Sequence, residues 1–341
     1  MNEYKKIPTP IKYAINTVLV VGLWLVVNTM IANGTISRYY SRIIYSAGIY
    51  VILAVSLNLT CGFLGQLPLG HAGFMAVGAY TSAIITKNLY IGNDFLSFLI
   101  AIIASGIVAA IFGLVIGLPA LRLKGDYLAI ITLAFGEIIR VVINNLGITG
   151  GALGLKQIPR YTTFTWVYAM CVLTIFVSYT LIHSRHGRSI IAIRENEIAA
   201  ENCGVNLTYY KSMTFTVAAF FAGIAGALYA NYIATISPSI FDFNQSIEIL
   251  VMVVLGGMGS ICGSVISAAV LTALPELLRE FNDFRMVAYS LLLVVVMIFK
   301  PSGLMGHYEL SVGDILDKLY NKVLGSKKAE ITDSENGGEE V

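Results

Sequence analysis

The residues of this 341-residue chain that could do chemistry are few and set in apolar surroundings. Glu137 and Arg140 stand three apart in the stretch Tyr127 to Ile143, where Ile130, Ile131, Leu133, Phe135, Ile138, Ile139 and Val141 are apolar. At helical spacing the two charges share a face and can pair, which lowers the cost of placing them in an apolar medium. Such a pair serves either as a charged lining or gate, suited to a zwitterion, or as a clamp between helices. Gln66 and His71 lie in GFLGQLPLGH, beginning at Gly62, where Gly62, Gly65, Pro68 and Gly70 break an apolar run. Polar side chains beside irregular backbone either contact a polar substrate or satisfy freed carbonyls. Gly256, Gly257, Gly259 and Gly263 break a second run. Two glycine-broken segments, one in each half of an apolar chain, point to a translocation pathway, because unwound backbone at membrane depth must be buried or line a cavity. The alternative is close packing of helices on small residues. On the first reading Gln66, Pro68, Gly70, His71, Gly256, Gly257 and Gly259 line the pathway, and the segments Gly62 to His71 and Gly256 to Gly263 face each other across it.

A third feature is the charged island GRSIIAIRENEIAAENCGVNLTYYK, Gly187 to Lys211, between two apolar runs. Arg194, Glu195, Glu197 and Glu201 alternate in sign, Ile190, Ile193, Ile198, Ala199 and Ala200 give an apolar side, and Gly204 stops the helix. Thr208 is placed to cap the helix that follows. A short helix across the face of a membrane domain suits an element that transmits force from a soluble partner. Its charged surface is expected to be solvated until that partner covers it. By contrast, TGGALG from Thr149 reads as a flexible loop, for docking, gating or connection. No GxxxxGK[ST], HExxH or GxSxG occurs, and His71, His183, His186 and His307 are dispersed. The chain therefore carries no nucleotide, metal or hydrolase motif; no catalytic residue, metal or cofactor is expected, and any nucleotide energy comes from another polypeptide. Cys61, Cys171, Cys203 and Cys262 form no CxxC pair and read as small apolar residues.

These features need a scaffold, and composition limits it. Lys and Arg number 22 and Asp and Glu 20, so 12% of residues carry charge while 57% are hydrophobic. Of the charged residues, 25 are spread over the 287 positions from Tyr13 to Phe299. So few cannot cover a soluble globule, and the solvent of this region is lipid. The net charge of +2 and the lack of a basic, aromatic-interleaved stretch give no sign of nucleic acid. Charge-free runs mark spans at Tyr13 to Ser37, Ile43 to Thr86, Phe95 to Leu121, Tyr161 to Ser184, Ser212 to Phe241, Ile249 to Pro275 and Met286 to Phe299. As one helix the run from Ile43 to Thr86 would extend about 66 Å, over twice the hydrocarbon thickness, so it must turn back at its glycines. With a span at Tyr127 to Ile143, and Ile249 to Pro275 as one broken or two short segments, the count is about ten. The basic N-terminus followed by a long uncharged stretch reads as a retained first helix rather than a signal. Ten spans place fourteen Lys and Arg in inner loops and tails against seven outside, which puts both termini in the cytoplasm. The expected organisation is a cytoplasmic N-terminus (1–12), a membrane domain (13–303) with the charged segment 187–211, an amphipathic cytoplasmic helix (304–325) and a disordered tail (326–341).

Four ordered stretches carry a resemblance: GQLPLGHAGFMAVGAYTSA from Gly65, LRLKGDYLAIITLAFGEIIRVVINN from Leu121, TGGALGL from Thr149 and the island from Gly187. From about Ile43 to Gly303 the chain resembles permease subunits of branched-chain amino acid ABC importers, the LivM type. The resemblance implies an all-α polytopic membrane protein with broken or re-entrant segments, forming half of a pore with a second permease. It implies two partner ATP-binding subunits, an extracytoplasmic substrate-binding protein and a bacterial or archaeal plasma membrane. It also implies that Glu197 to Glu201 with Gly204 form the motif that docks on the ATPase, and Arg194 and Glu195 of the same charged segment are expected to share in that coupling. Related permeases carry urea or short amides, which leaves that cargo as an alternative. An ion-coupled secondary transporter using Glu137 is another.

Overall fold

The computed structural model describes residues 9–88, 92–123, 125–277, isolated positions between 287 and 300, and 303–306. The chain divides into two units: Met1–Thr35 with Glu309–Val341, and Ile36–Tyr308. In the first, α1 spans Thr9–Ala32. In the second, α2 (Arg38–Asn58) runs into a π-helical turn (Leu59–Phe63), followed by α3 (His71–Asn88), α4 (Asp94–Ala120), α5 (Asp126–Asn145) and α6 (Phe164–His183). Two short helices, α7 (Arg185–Glu195) and α8 (Glu197–Asn202), precede α9 (Leu207–Ile233), α10 (Phe243–Gly256) and α11 (Ile261–Leu277). Among the described residues there is no strand, only one antiparallel bridge between Leu155 and Ile236.

Five helical segments are long and apolar enough to cross a membrane: Arg38–Phe63, Asp94–Ala120, Phe164–His183, Leu207–Ile233 and Pro238–Gly256. Thr17–Ala32 and Ile261–Leu277 are shorter apolar helices. The protein is thus an all-helical, multi-pass membrane protein. The span expected at Met286 to Phe299 lies largely outside the described residues, as do the amphipathic helix and tail expected after residue 306 and most of the N-terminus.

The centre of the second unit is α9, with α2 against one side and α3 and α4 against the other. Lipid tails are as apolar as leucine, so helices in a membrane gain by approaching closely rather than by burying apolar area. Small residues permit that approach here. A Cβ at Gly78 of α3 would overlap the backbone of Gly223 on α9, and one at Gly226 would overlap the Met75 carbonyl. On α4, Gly113 meets Ala219 and Gly106 meets the Phe220 ring. Asn231 Nδ2 of α9 donates to Ser82 Oγ of α3 at 2.6 Å, a buried polar link across the same contact.

Candidate functional site

The run from Ile43 to Thr86 turns back where expected, and the structure shows how its freed backbone is satisfied. Leu69 N donates to Thr132 Oγ1 at 3.0 Å, and Ala72 N donates to Ser246 Oγ at 3.2 Å. Gln66 N reaches the Thr60 carbonyl at 2.9 Å. The second break separates α10 from α11, with Gly257 at φ +109° and Gly259 at φ +87°, backbone that favours glycine. Here the C-terminal carbonyls of α10 are covered: Leu304 N donates to Leu255 O at 2.7 Å and Met305 N to Gly256 O at 3.3 Å.

The two breaks meet in direct contact instead of facing each other across a space within this chain. Asn58, fully buried at the end of α2, donates from Nδ2 to Ser260 O and accepts from Gly259 N, each at 2.9 Å. A Cβ at Gly62 would overlap both Asn58 and Gly259 N. Of the expected pathway glycines, Gly70 and Gly256 pack closely against backbone. Gly70 lies against the Thr132 carbonyl of α5, and Gly256 and Gly263 press together where α10 meets α11. Pro68 is buried. His71, also buried, shares a 3.0 Å hydrogen bond between Nε2 and Ser56 Oγ. It is not paired with Gln66, whose Nε2 donates to Glu197 Oε1 at 3.1 Å.

That last bond brings in the charged segment. Ser184 caps α7 by accepting from Gly187 N, and Asn196 caps α8 by accepting from Ala199 N at 3.0 Å. The short helix expected within the charged segment is two, Arg185–Glu195 and Glu197–Asn202, because the Asn196 side chain competes for the backbone and starts a new helix. Glu195 is the last residue of α7, and α8 ends before Gly204, which adopts φ +84°. The helix that follows is capped by Asn206, which accepts from Tyr209 N, and not by Thr208. The break also splits the expected apolar side: Ile190, Ile193 and Ala200 are buried, whereas Ile198 is 68% exposed and Ala199 is exposed.

Arg194 spans the junction. Its Nη1 donates to Gly62 O at 3.1 Å in the first break, and its Nη2 pairs with Glu195 at 2.6 Å. A Cβ at Gly259 would come within 3.2 Å of the same Nη1, so the second break lies beside it. Glu197 is half-buried, contrary to the expected solvated surface, and binds Lys211 Nζ at 2.6 Å. Lys211 is only 4% exposed. Glu201 stays exposed. One junction thus holds both helix breaks and the charged segment, joined by Asn58, Arg194, Gln66, Glu197 and Lys211. Among the described residues the junction holds no convergent acid, base and nucleophile, and no cluster of potential metal ligands occurs.

Residues 39–300 match the model of a family described as the permease component of branched-chain amino acid transport systems. The chain belongs to this family. Among its relatives, the high-affinity branched-chain amino acid transport system permease protein LivM of Salmonella typhimurium is 39% identical over 75% of this chain and 68% of its own. The probable LivM permease of Methanocaldococcus jannaschii is 27% identical over 77% of this chain and 92% of its own. The LivH permease of Salmonella typhimurium is 26% identical over 76% and 92%. No solved structure matches the chain at a significant level.

Sequence reasoning missed two members of this permease's junction, Asn58 and Lys211. Each interrupts an apolar helix end with a polar side chain, a signal that marks a buried partner without naming it. Glu137 and Arg140 lie apart from the junction, on α5. Arg140 Nε donates to Glu137 Oε2 at 2.8 Å, and Nη2 lies 2.6 Å from the same oxygen. The side chains of the pair are 34% and 35% exposed, and among the described residues neither bonds to another helix. Among the described residues the pair clamps no second helix.

Proposed function

We propose that this permease is one half of the translocation pathway of an ATP-binding-cassette importer for leucine, isoleucine and valine. It lies in a bacterial or archaeal plasma membrane with both termini in the cytoplasm. An extracytoplasmic binding protein delivers the amino acid, a second, similar permease completes the pore, and two ATP-binding subunits drive it. It changes no covalent bond itself. The observation that carries this reading is the junction: in a chain of this family, Arg194 ties the α7–α8 segment to the Gly62 carbonyl and Glu197 ties it to the Gln66 side chain at the first helix break, and Asn58 ties that break to the second. A push on the exposed side of α8, at Ile198 and Glu201, passes through these bonds to the ends of α2, α3, α10 and α11. ATPase docking on that face is the simplest source of such a push, since the chain has no nucleotide motif.

The test is uptake by proteoliposomes holding both permeases, both ATPases and the binding protein. Accumulation of branched-chain amino acids that depends on ATP, and is absent for this chain alone, is the expected result. ATP-dependent accumulation of urea or short amides in place of leucine would assign the alternative cargo. Accumulation by the isolated chain under a proton or sodium gradient would make it a secondary transporter.

A further inference from the structure

The pair on α5 is unused by the junction, and its placement points to a ligand. α5 has 20 residues, about 30 Å, with Glu137 twelfth and Arg140 fifteenth, so in the span expected at Tyr127 to Ile143 both would lie well inside the membrane. Leu128, Thr132, Ile139 and Ile143 are buried against the bundle. With successive residues turned by about 100°, Glu137 and Arg140 then fall on one flank with Ala129, Leu133 and Asn144. Ile131, Ile138 and Val142 form the opposite, apolar flank. Ionisable side chains at this depth face a bundle interior or a water-filled cavity, not hydrocarbon. About a third of each side chain is open, on a flank that the second permease of the importer reading would face.

The bonding of the pair is lopsided. Both contacts converge on Glu137 Oε2, and Oε1 and Arg140 Nη1 have no hydrogen bond among the described residues. One anionic acceptor and one cationic donor thus lie side by side and open, on a pair whose net charge is zero. An amino acid zwitterion presents the complementary set: its ammonium suits the carboxylate oxygen, and its carboxylate suits the guanidinium. The geometry assigns to Glu137 and Arg140 a transit site for the α-ammonium and α-carboxylate of the cargo, with Leu133 against its apolar side chain. The assignment rests on the importer reading above and adds the groups that would touch the substrate.

The experiment uses the complete transporter in proteoliposomes, as wild type and as Glu137→Gln and Arg140→Gln. It adds a wild-type pair carrying Leu133→Cys, with the four native cysteines replaced. Each single change is expected to leave the subunits co-purifying and ATP hydrolysis responsive to loaded binding protein. Leucine uptake should fall about ten- to hundredfold, the loss of one charge-assisted bond. The cysteine at position 133 is expected to react with a water-soluble thiol reagent and to be protected when loaded binding protein and ATP are present. Wild-type uptake in both variants, or an unreactive cysteine, would overturn the assignment. So would loss of co-purification, which would make the pair a contact with the second permease. Those outcomes leave the importer reading standing as long as the wild type accumulates leucine; failure of the wild type to do so overturns both.

Discussion

Glu197 and Glu201 are four residues apart on one short helix, yet they do different things. Glu197 neutralises Lys211, which is buried at the start of α9, and also holds Gln66. Breaking a buried pair by removing one partner strands the other charge, at a cost of about 3 kcal/mol. Glu197→Lys is therefore expected to lower the stability of the solubilised permease, seen as an earlier thermal transition. The pairwise change Glu197→Leu with Lys211→Met should recover most of that loss, since two apolar groups need no partner. Glu201 is exposed, so Glu201→Lys should leave the transition within about 0.5 kcal/mol of wild type while weakening binding of the ATPases. Equal ATPase binding by wild type and Glu201→Lys would move the docking face elsewhere. Asn58→Ala leaves the part-buried Gly259 N without its partner, while Ser260 O keeps its bonds from Ser264 N and Ser264 Oγ, and a loss of about 1–3 kcal/mol is expected in the same thermal assay.

At the scale of elements, the glycines decide which helices touch. Gly70→Leu would drive a side chain into the backbone of α5, and Gly78→Leu would drive one into α9. Overpacking of this kind costs about 1–3 kcal/mol where neighbours can shift, and more where the obstacle is backbone. Both variants should be recovered from membranes at reduced yield and with faster proteolysis, before transport is ever assayed. Normal yield with transport abolished in Gly70→Leu would support a pathway role for Gly70. The two-helix form of the charged segment makes a second demand. Asn196→Ala removes the N-cap of α8 at a cost of about 1 kcal/mol. Hydrogen exchange should then quicken at the amides of 199–202 while α7 keeps its protection.

For the whole molecule, the proposed coupling requires that a force applied to a small surface act on a large bundle. α9 is the most buried of the candidate spans, packed chiefly against α2, α3 and α4, whereas the junction lies at helix ends that irregular backbone connects. Helix ends joined by a few directional bonds can switch between two bonded arrangements, while a close-packed centre resists gradual deformation. Replacing Arg194 by Met removes the bond to the Gly62 carbonyl. In the assembled transporter this variant is expected to hydrolyse ATP at a rate near wild type but to accumulate less leucine. Hydrolysis and uptake that fall in equal proportion would argue against transmission through Arg194.

The amino-acid sequence by itself determined the solvent of the chain, the positions of both helix breaks, the charged segment and the Glu137–Arg140 pair. These depend on composition, on glycine and proline, and on spacings of three or four residues, all of which act within one helical turn or one run. It did not determine that Asn58 meets Gly259 and Ser260 across some 200 positions of chain. Nor did it reveal that Arg194 reaches Gly62, or that Glu197 is spent on Lys211. A polar side chain announces that it needs a partner, but which partner depends on which helix ends the packing brings to one place and how each helix is rotated there. For the same reason the glycines read equally well as pathway or as packing along the chain. Only the distance of closest approach between backbones, a property of the packed helices, separates the two.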